Sequence, residues 1–305
     1  MSEIHRGFTA VKFTDTTYLV SPCCAVPSRT IRKPILTGGG AKTEKTLPDR
    51  RDTVIADILN KGRRMIAIPP SARLGIILSS GNWTLESYFR AYAPEDLGIH
   101  VTRMQMGSGG ERSPADIEAD ILRCARLLAD VKVDLIDLQG TGIMMERGPD
   151  GEAAIVNSIE ASTDTPAYTA TGAAVEALRA LNLKRLVLVG PYGEAALARE
   201  TAYMEAAGFE IVDAVGLDRG GQSNEVPPAD WIAAAKSRNW ADADGIFFSG
   251  SNTRMVEAIA PTEQALGKPA VTSVQAALWA GLQRLAPKLG PLPSTPALGK
   301  LFATL

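Results

Sequence analysis

Two successive stretches of this chain repeat the same order of short apolar runs and amphipathic segments, and this repeat limits the fold more than any other feature. From Arg73 onward, β-branched or leucine-rich runs alternate with helical periodicity, which is typical of a mostly parallel sheet covered by helices. The first set of predicted strands is Leu74 to Leu78, Ile99 to Met104 and Val133 to Leu138, and the second is Arg185 to Val189, Glu210 to Val215 and Gly245 to Phe248.

The matched order and spacing predict an α/β fold with two pseudo-twofold-related, Rossmann-like lobes, each with a parallel sheet, and a cleft between them. A single doubly wound sheet is the alternative, since any such fold repeats strands and helices. We divide the chain into an N-terminal extension (1–70), lobe 1 (71–168) and lobe 2 (169–305). The C-terminal helix is expected either to stay in lobe 2 or to return to lobe 1. The extension holds a strand-like stretch from Ala10 to Val20 and a helix that begins near Asp49.

One helix boundary is well marked. Ser113 is a good N-cap residue, Pro114 suits the first helical position, and Asp116 lies three residues after the cap, so a helix is predicted from Pro114 to Ala129. Cys124 lies on the apolar face of this helix, and we expect it to pack in the core.

Composition excludes several classes of partner. The chain has 305 residues, 45% of them apolar, and a net charge of −2, which gives no field to attract nucleic acid or an anionic membrane. We see neither an apolar run of about 20 residues nor the order of a signal peptide, so we expect a cytoplasmic protein. Three cysteines, with Cys23 and Cys24 adjacent, suit a reducing compartment. We also expect a homo-oligomer.

No cofactor is expected. His5 and His100 are far apart, and no cluster of His, Cys and Asp has metal-ligand spacing. The glycines at 38–40 lie in the extension without the strand and helix that a dinucleotide-binding turn requires.

Ligands of open α/β sheets bind beyond the carboxyl ends of the strands, so four loops are the candidate site. These loops are rich in glycine and hydroxyl residues, which lets the backbone approach a ligand and supplies neutral donors to an anion. Turn formation and helix capping are the alternative reason for the same composition. The four loops are residues 79–84, 139–142, 190–193 and 249–254.

Several segments in a fixed order resemble a known family. They are Arg73 to Glu86 (RLGIILSSGNWTLE), Thr169 to Leu181 (TATGAAVEALRAL), the Pro191-Tyr192 loop, Met204 to Val212 (MEAAGFEIV), Ser249 to Arg254 (SGSNTR) and Leu266 to Trp279 (LGKPAVTSVQAALW). Over about residues 73 to 285 the chain resembles the maleate cis–trans isomerases and arylmalonate decarboxylases of the aspartate/glutamate racemase superfamily.

The resemblance implies that Asn82, Tyr192 and Asn224 hold a substrate carboxylate, for which amide and phenol groups are suitable donors. The resemblance also shows where this chain differs from the superfamily. The superfamily typically carries a cysteine after the third strand of each lobe, and these positions read Gly140 and Gly250 here. Family decarboxylases have glycine at the first position, in a loop similar to residues 140–142, but keep the second cysteine.

The leading hypothesis is therefore a cofactor-independent isomerase or decarboxylase-like lyase that acts on a small carboxylate or dicarboxylate. Residues 140–142 and 250–252 would form an oxyanion cradle. The catalytic candidates are Thr141, Ser251 and Tyr192. The predicted substrate-binding residues are Asn82, Gly140, Thr141, Gly142, Tyr192, Asn224, Gly250, Ser251 and Asn252.

Two alternatives remain at this point. One is a hydrolase or lyase in which Ser251 or Thr141 works with a carboxylate, and the other is a carboxylate-binding protein without catalysis. Asp137 and Glu146 lie near the candidate loops, whereas we expect Glu86 to brace its loop. Cys23 and Cys24 would reach the cleft only if the extension folds back over it.

Overall fold

A computed structural model describes residues 9–13, 16–20, 69–106, 112–238, 240–292 and 294–305. The chain divides into two compact units, Met1–Ile66 and Ala67–Leu305. In the first unit, strands β1 (Thr9–Phe13) and β2 (Thr16–Val20) pair antiparallel, with Thr9 opposite Val20. The strand-like stretch predicted from Ala10 to Val20 therefore forms two antiparallel strands. The helix predicted near Asp49 lies outside the described residues.

Lobe 1 is a parallel four-stranded sheet with the strand order β4-β3-β5-β6. Its elements are β3 (Ala72–Ser79), α1 (Leu85–Tyr92), β4 (Leu97–Met104), α2 (Pro114–Asp130), β5 (Leu135–Leu138), α3 (Thr141–Thr163), β6 (Ala167–Thr169) and α4 (Ala170–Ala180).

Lobe 2 has the same strand order, β8-β7-β9-β10, again parallel. This equivalence confirms the predicted two-lobed α/β fold. Its elements are β7 (Arg185–Gly190), α5 (Glu194–Ala206), β8 (Glu210–Gly216), α6 (Pro228–Lys236), β9 (Gly245–Phe248), α7 (Ile259–Leu266), β10 (Ala270–Thr272), α8 (Ser273–Leu289) and α9 (Gly299–Phe302).

The six predicted strands all form, although β5 begins two residues later than Val133. Helix α2 begins at Pro114 as predicted, and the Ser113 hydroxyl accepts a hydrogen bond from the Asp116 N–H at 3.1 Å. The fourth strand of each sheet was not predicted. Strands β6 and β10 have only three residues each, too few to show an alternating pattern.

The two lobes share a helix pair. Helix α8 packs on α4 and also against β3 and β5 of lobe 1. The contact surface is lined by small, buried residues, so the two helices approach closely. The Tyr168 hydroxyl on β6 donates to the Ala277 carbonyl of α8 at 2.8 Å. The small residues are Ala173, Ala174 and Ala177 on α4 and Ala276, Ala277 and Ala280 on α8.

None of the helices in the described part of the chain is long and apolar enough to cross a membrane.

We expect Gly281→Ala to destabilise the protein. A Cβ at this position in α8 would lie 2.8 Å from the buried Tyr168 hydroxyl, so the crossing would have to widen. Alanine gains about 1 kcal/mol in helix propensity. Overpacking costs typically about 1–3 kcal/mol, so a net loss in the free energy of unfolding is expected in urea titrations. Gly81→Ala is the control, because no atom lies within 4 Å of its Cβ position. Equal stabilities of the two variants would contradict the prediction.

Candidate functional site

The loops after β3 and β9 meet across the two lobes. The Asn82 amide donates to the Ser251 carbonyl at 2.9 Å, and the Asn252 amide donates to the Gly81 carbonyl at 3.3 Å. The Thr84 hydroxyl and the Trp83 N–H both donate to Oδ1 of Asn252, at 3.2 and 3.3 Å. These contacts place the carboxyl ends of the two sheets opposite each other.

Several of the predicted ligand contacts are made to the protein itself. Oδ1 of buried Asn82 accepts from the N–H groups of Thr84 and Leu85, both at 3.2 Å, and so caps α1. The Gly250 N–H donates to the Ser273 hydroxyl at 3.1 Å. Asn82, Asn252 and Gly250 therefore shape the site through the loops that they join.

Glu86 braces its loop, as the sequence suggested. Its carboxylate accepts from Arg103 Nη2 at 2.7 Å, and Nη1 of the same arginine donates to the Asn82 carbonyl at 2.6 Å.

Lobe 1 contributes the start of α3 to the site. Gly140 precedes the helix with φ 148° and ψ 61°, a conformation that favours glycine, and a Cβ there would lie 3.2 Å from Ile143 Cδ1. Thr141 is buried and Gly142 is exposed. As the first residues of the helix, they have N–H groups without intrahelical acceptors at its positive end. This turn offers donors to an anion.

Lobe 2 contributes Tyr192 from the loop after β7. Burial raises the pKa of this phenol well above its usual range, and the charge of Glu200 adds to the rise, whereas interactions with Thr141 and Ser249 oppose it. The Tyr192 hydroxyl lies 3.4 Å from the point where a Cβ at Gly250 would stand. Tyr192 thus connects the lobe 1 turn to the loop after β9.

A small pocket of about 50 Å³ opens between α3 and α5, lined by Gly142, Met145, Glu146, Tyr192, Ala196 and Arg199. Of the predicted site residues, Gly142 and Tyr192 lie in its wall, and Glu146 lines it as well. Arg199 was not predicted, because it occurs in a polar helix without a motif. Arg199 adds a cationic residue to the wall of the pocket.

The other predicted residues do not line this pocket. Asn224 is half-buried in a 3₁₀ turn, Ser223–Glu225. The Ser223 hydroxyl donates to the Asn252 carbonyl at 3.0 Å, which attaches this turn to the loop after β9. Ser251 is half-buried, and its carbonyl accepts from Asn82.

Two fully buried acids flank the site. Asp137 on β5 accepts from Gln139 Nε2 at 2.7 Å, and burial raises its pKa to about 7, partly offset by Gln139 and Tyr168. Glu200 on α5 was missed in the sequence. Burial raises its pKa to about 8, partly offset by Ser249. Glu200, Tyr203 and Met204 form the buried face of α5, so a carboxylate on an apolar helical face was the available signal.

The remaining candidates lie away from the pocket or outside the described residues. Cys124 is buried in α2 with a pKa raised by burial, which confirms its packing role. His100 is in β4, and burial lowers its pKa. Cys23, Cys24 and His5 lie outside the described residues. No group of three or more His, Cys, Asp or Glu side chains suited to a metal ion occurs in the part of the chain that is described.

We expect Asn252→Ala to weaken the contact between the two loops. The variant loses the bonds to Gly81, Trp83 and Thr84, and a net loss of about 1–3 kcal/mol in the free energy of unfolding is expected from urea titration. Ser237→Ala removes a hydroxyl that donates to the Ala234 carbonyl within an exposed helix end and is the control. A loss no larger than that of the control would show that the bridge contributes nothing to stability.

Glu200 makes stability depend on pH. Its folded pKa, about 8, exceeds the ordinary value of 4.5, so between these pH values the folded protein holds a proton that the unfolded chain has released. The free energy of unfolding therefore falls as pH rises through this window, by up to about 1.4 kcal/mol per pH unit. Glu200→Gln should reduce this slope in urea titrations from pH 5 to 8, and the part that remains up to about pH 7 comes from Asp137, whose folded pKa is also raised. Glu205→Gln, at an exposed position of the same helix, should keep the wild-type slope.

Comparison with known proteins agrees with this architecture. A family model for arylmalonate decarboxylase matches residues 98–302. A maleate isomerase from Pseudomonas putida is 27% identical over 235 residues, covering 70% of this chain and 91% of the relative. An arylmalonate decarboxylase from Bordetella bronchiseptica is 25% identical over 240 residues, covering 77% and 94%.

Among solved structures, one is similar over 76% of this chain and 98% of its own, with a TM-score of 0.69 and 25% identity. It is a cysteine-to-serine variant of the Nocardia farcinica maleate cis–trans isomerase with a covalently bound succinylcysteine intermediate. The match of the family model covers about two thirds of the chain. The chain belongs to the arylmalonate decarboxylase family.

Proposed function

We propose that this chain is a decarboxylase-like lyase that acts on a small dicarboxylate of the malonate type without a metal or organic cofactor. The observation that carries the proposal is one pocket lined by Gly142, at the start of α3, and by Tyr192 of the opposite lobe, with buried Thr141 next to Gly142 interacting with Tyr192. These groups are neutral donors, which suit a carboxylate whose charge grows during the reaction.

One substrate carboxylate would bind at the N–H groups of Thr141 and Gly142 and at the Thr141 hydroxyl. Tyr192 would donate to the same carboxylate or to the adjoining carbon, and Arg199 in the pocket wall would pair with the remaining negative charge. Turn and helix backbone fix these donors before the substrate arrives, so little reorganisation is needed at the moment of reaction.

Loss of CO₂ leaves its bonding electron pair on the remaining carbon and carboxylate, which together form an enediolate. The oxygens gain charge as the C–C bond breaks, so donors at the α3 turn stabilise the transition state more than the ground state. The carbon then takes a proton to complete the reaction. A phenol with a high pKa is a weak acid, but the enediolate carbon is a strong base.

Glycine at 140 is the residue that the family resemblance gives to decarboxylases at this position, and it favours decarboxylation over isomerisation. Glycine at 250 stands where the resemblance places a cysteine in both kinds of relative, so the role of proton donor is left to Tyr192. The related Nocardia farcinica isomerase forms a covalent succinylcysteine. Among the described residues of this chain, the only cysteine is Cys124, buried in α2. Decarboxylation needs a cradle and a proton donor, and it does not require a thiolate nucleophile.

The size of the pocket bears on the substrate. A volume of about 50 Å³ is well below the roughly 300 Å³ at which typical small-molecule pockets begin, so a compact acid is favoured over one with a large aryl group. A nucleophilic hydrolase has less support. No hydrogen bond joins the hydroxyl of Ser251 or Thr141 to a carboxylate within the described ranges, and serine and threonine need such a base.

The proposal is tested by incubating purified protein with unsubstituted, methyl- and phenyl-malonate and with maleate, and by measuring CO₂ and fumarate. We expect CO₂ from a malonate. Tyr192→Phe should lower kcat by about 10²–10⁴-fold, because it removes the proton donor. Tyr92→Phe, a half-buried tyrosine outside the pocket wall, is the matched control.

Three outcomes separate the candidates. Turnover that survives Tyr192→Phe contradicts the assigned role of this residue. Fumarate from maleate, without CO₂ from malonates, identifies an isomerase. Carboxylate binding in a thermal-shift assay, without any product, identifies a binding protein.

A further inference from the structure

Glu200 is a buried acid that the mechanism above does not use. Its side chain is fully buried in α5, and neither carboxyl oxygen has a hydrogen-bond partner among the described residues. Buried polar groups are normally hydrogen-bonded, because an unpaired one lowers stability. A carboxyl group left in this condition beside a candidate active site requires a functional explanation.

The carboxyl group lies next to Tyr192. A Cβ placed at Gly190 would lie 3.1 Å from Glu200 Oε2 and 2.8 Å from Tyr192 Cδ2. The absence of a side chain at Gly190 therefore creates the space that the carboxyl and the phenol ring share. Tyr192 is the titratable neighbour whose pKa responds to the charge of Glu200.

Ser249 connects the two groups. It is fully buried at the end of β9, and its hydroxyl also has no hydrogen-bond partner in the part of the chain that is described. Interaction with this hydroxyl nevertheless lowers the pKa of both Tyr192 and Glu200, so Ser249 is a neighbour that the two groups share. A hydroxyl donates and accepts at once, so this position between an acid and a phenol suits a proton relay.

We propose that Glu200 is a positioning residue that stores a proton and delivers it through the Ser249 hydroxyl to Tyr192 as Tyr192 protonates the product carbon. The inference rests on the proposed function, because it supplies the proton that decarboxylation consumes. It also accounts for Gly250, since the Tyr192 hydroxyl stands 3.4 Å from where a side chain at 250 would begin.

The C–C bond breaks, CO₂ leaves and the electron pair stays on the enediolate. The enediolate carbon takes the Tyr192 proton, the phenolate oxygen takes the Ser249 proton, and the serine oxygen takes the Glu200 proton. Glu200 is left as a carboxylate and regains a proton from solvent, so each turnover consumes one proton.

The relative acidities favour this direction. The pKa of Glu200, about 8, lies far below that of Tyr192, so a proton passes from the carboxyl to a phenolate and not the reverse. The other fully buried acid beside the site, Asp137, does not share this arrangement. It accepts from Gln139, and its pKa responds to Tyr168 in lobe 1.

The test compares Glu200→Gln, Ser249→Ala and the control Asp137→Asn in the full chain, with the malonate that the wild type decarboxylates. We expect Glu200→Gln to lower kcat by about 10- to 100-fold with KM within twofold. It should also remove the fall in kcat above about pH 8 that the wild type shows as Glu200 loses its proton. Glu200→Asp should restore part of kcat together with that fall. A wild-type kcat and pH profile in Glu200→Gln overturns the relay.

Infrared spectroscopy provides a readout that does not need turnover. Asp137, with a pKa of about 7, is partly protonated at neutral pH, so the spectra are compared in the Asp137→Asn background. There the C=O stretch of a protonated carboxylic acid should be present, and it should be absent once Glu200→Gln is added. This band should shift in Ser249→Ala and Tyr192→Phe but not in Tyr92→Phe. If the wild type decarboxylates nothing, the proposed function fails, and the relay is then judged by this band alone. A band that is absent, or indifferent to Ser249 and Tyr192, overturns it.

Discussion

The close crossing of α4 and α8 is the constraint on which the rest of the structure depends. Small, buried residues line both helices. Each of the two helices therefore packs against its own half of the protein and also against the opposite half. This crossing fixes the distance between the two sheets. Their carboxyl ends then face each other, and the loops after β3 and β9 are able to bond through Asn82 and Asn252.

The functional groups of this site lie on short loops and on the first turns of helices. Backbone and side-chain atoms approach some positions of these loops so closely that only glycine fits there. A Cβ at Gly216 would stand 2.2 Å from the Tyr192 carbonyl, and one at Gly190 would collide with the Tyr192 ring. Glycines at the ends of two neighbouring strands therefore leave the space that the main chain and the ring of Tyr192 occupy.

The fold could be predicted from the sequence because strand and helix patterns are local and because they recur in both halves of the chain. The sequence was also sufficient to locate the loops, since the carboxyl ends of parallel strands are a general site. It could not show that Asn82 would bond across the lobes to Ser251, 169 residues away, instead of facing a ligand. Nor could it identify Arg199 and Glu200, because their importance comes from packing beside Tyr192 and not from a motif.

Two buried glutamates, Glu152 and Glu200, differ in the hydrogen bonds that their carboxyl groups make. Glu152 accepts from the hydroxyls of Thr169 and Tyr203 and from the Gly172 N–H, so its burial is compensated where α3, α4 and α5 meet. Glu200 has no such hydrogen-bond partner within the described ranges, although it lies on the same helix as Tyr203. It avoids the larger cost of a buried charge by remaining protonated, which its raised pKa allows at neutral pH. The protonated state that lowers the cost of burying Glu200 also allows Glu200 to supply a proton.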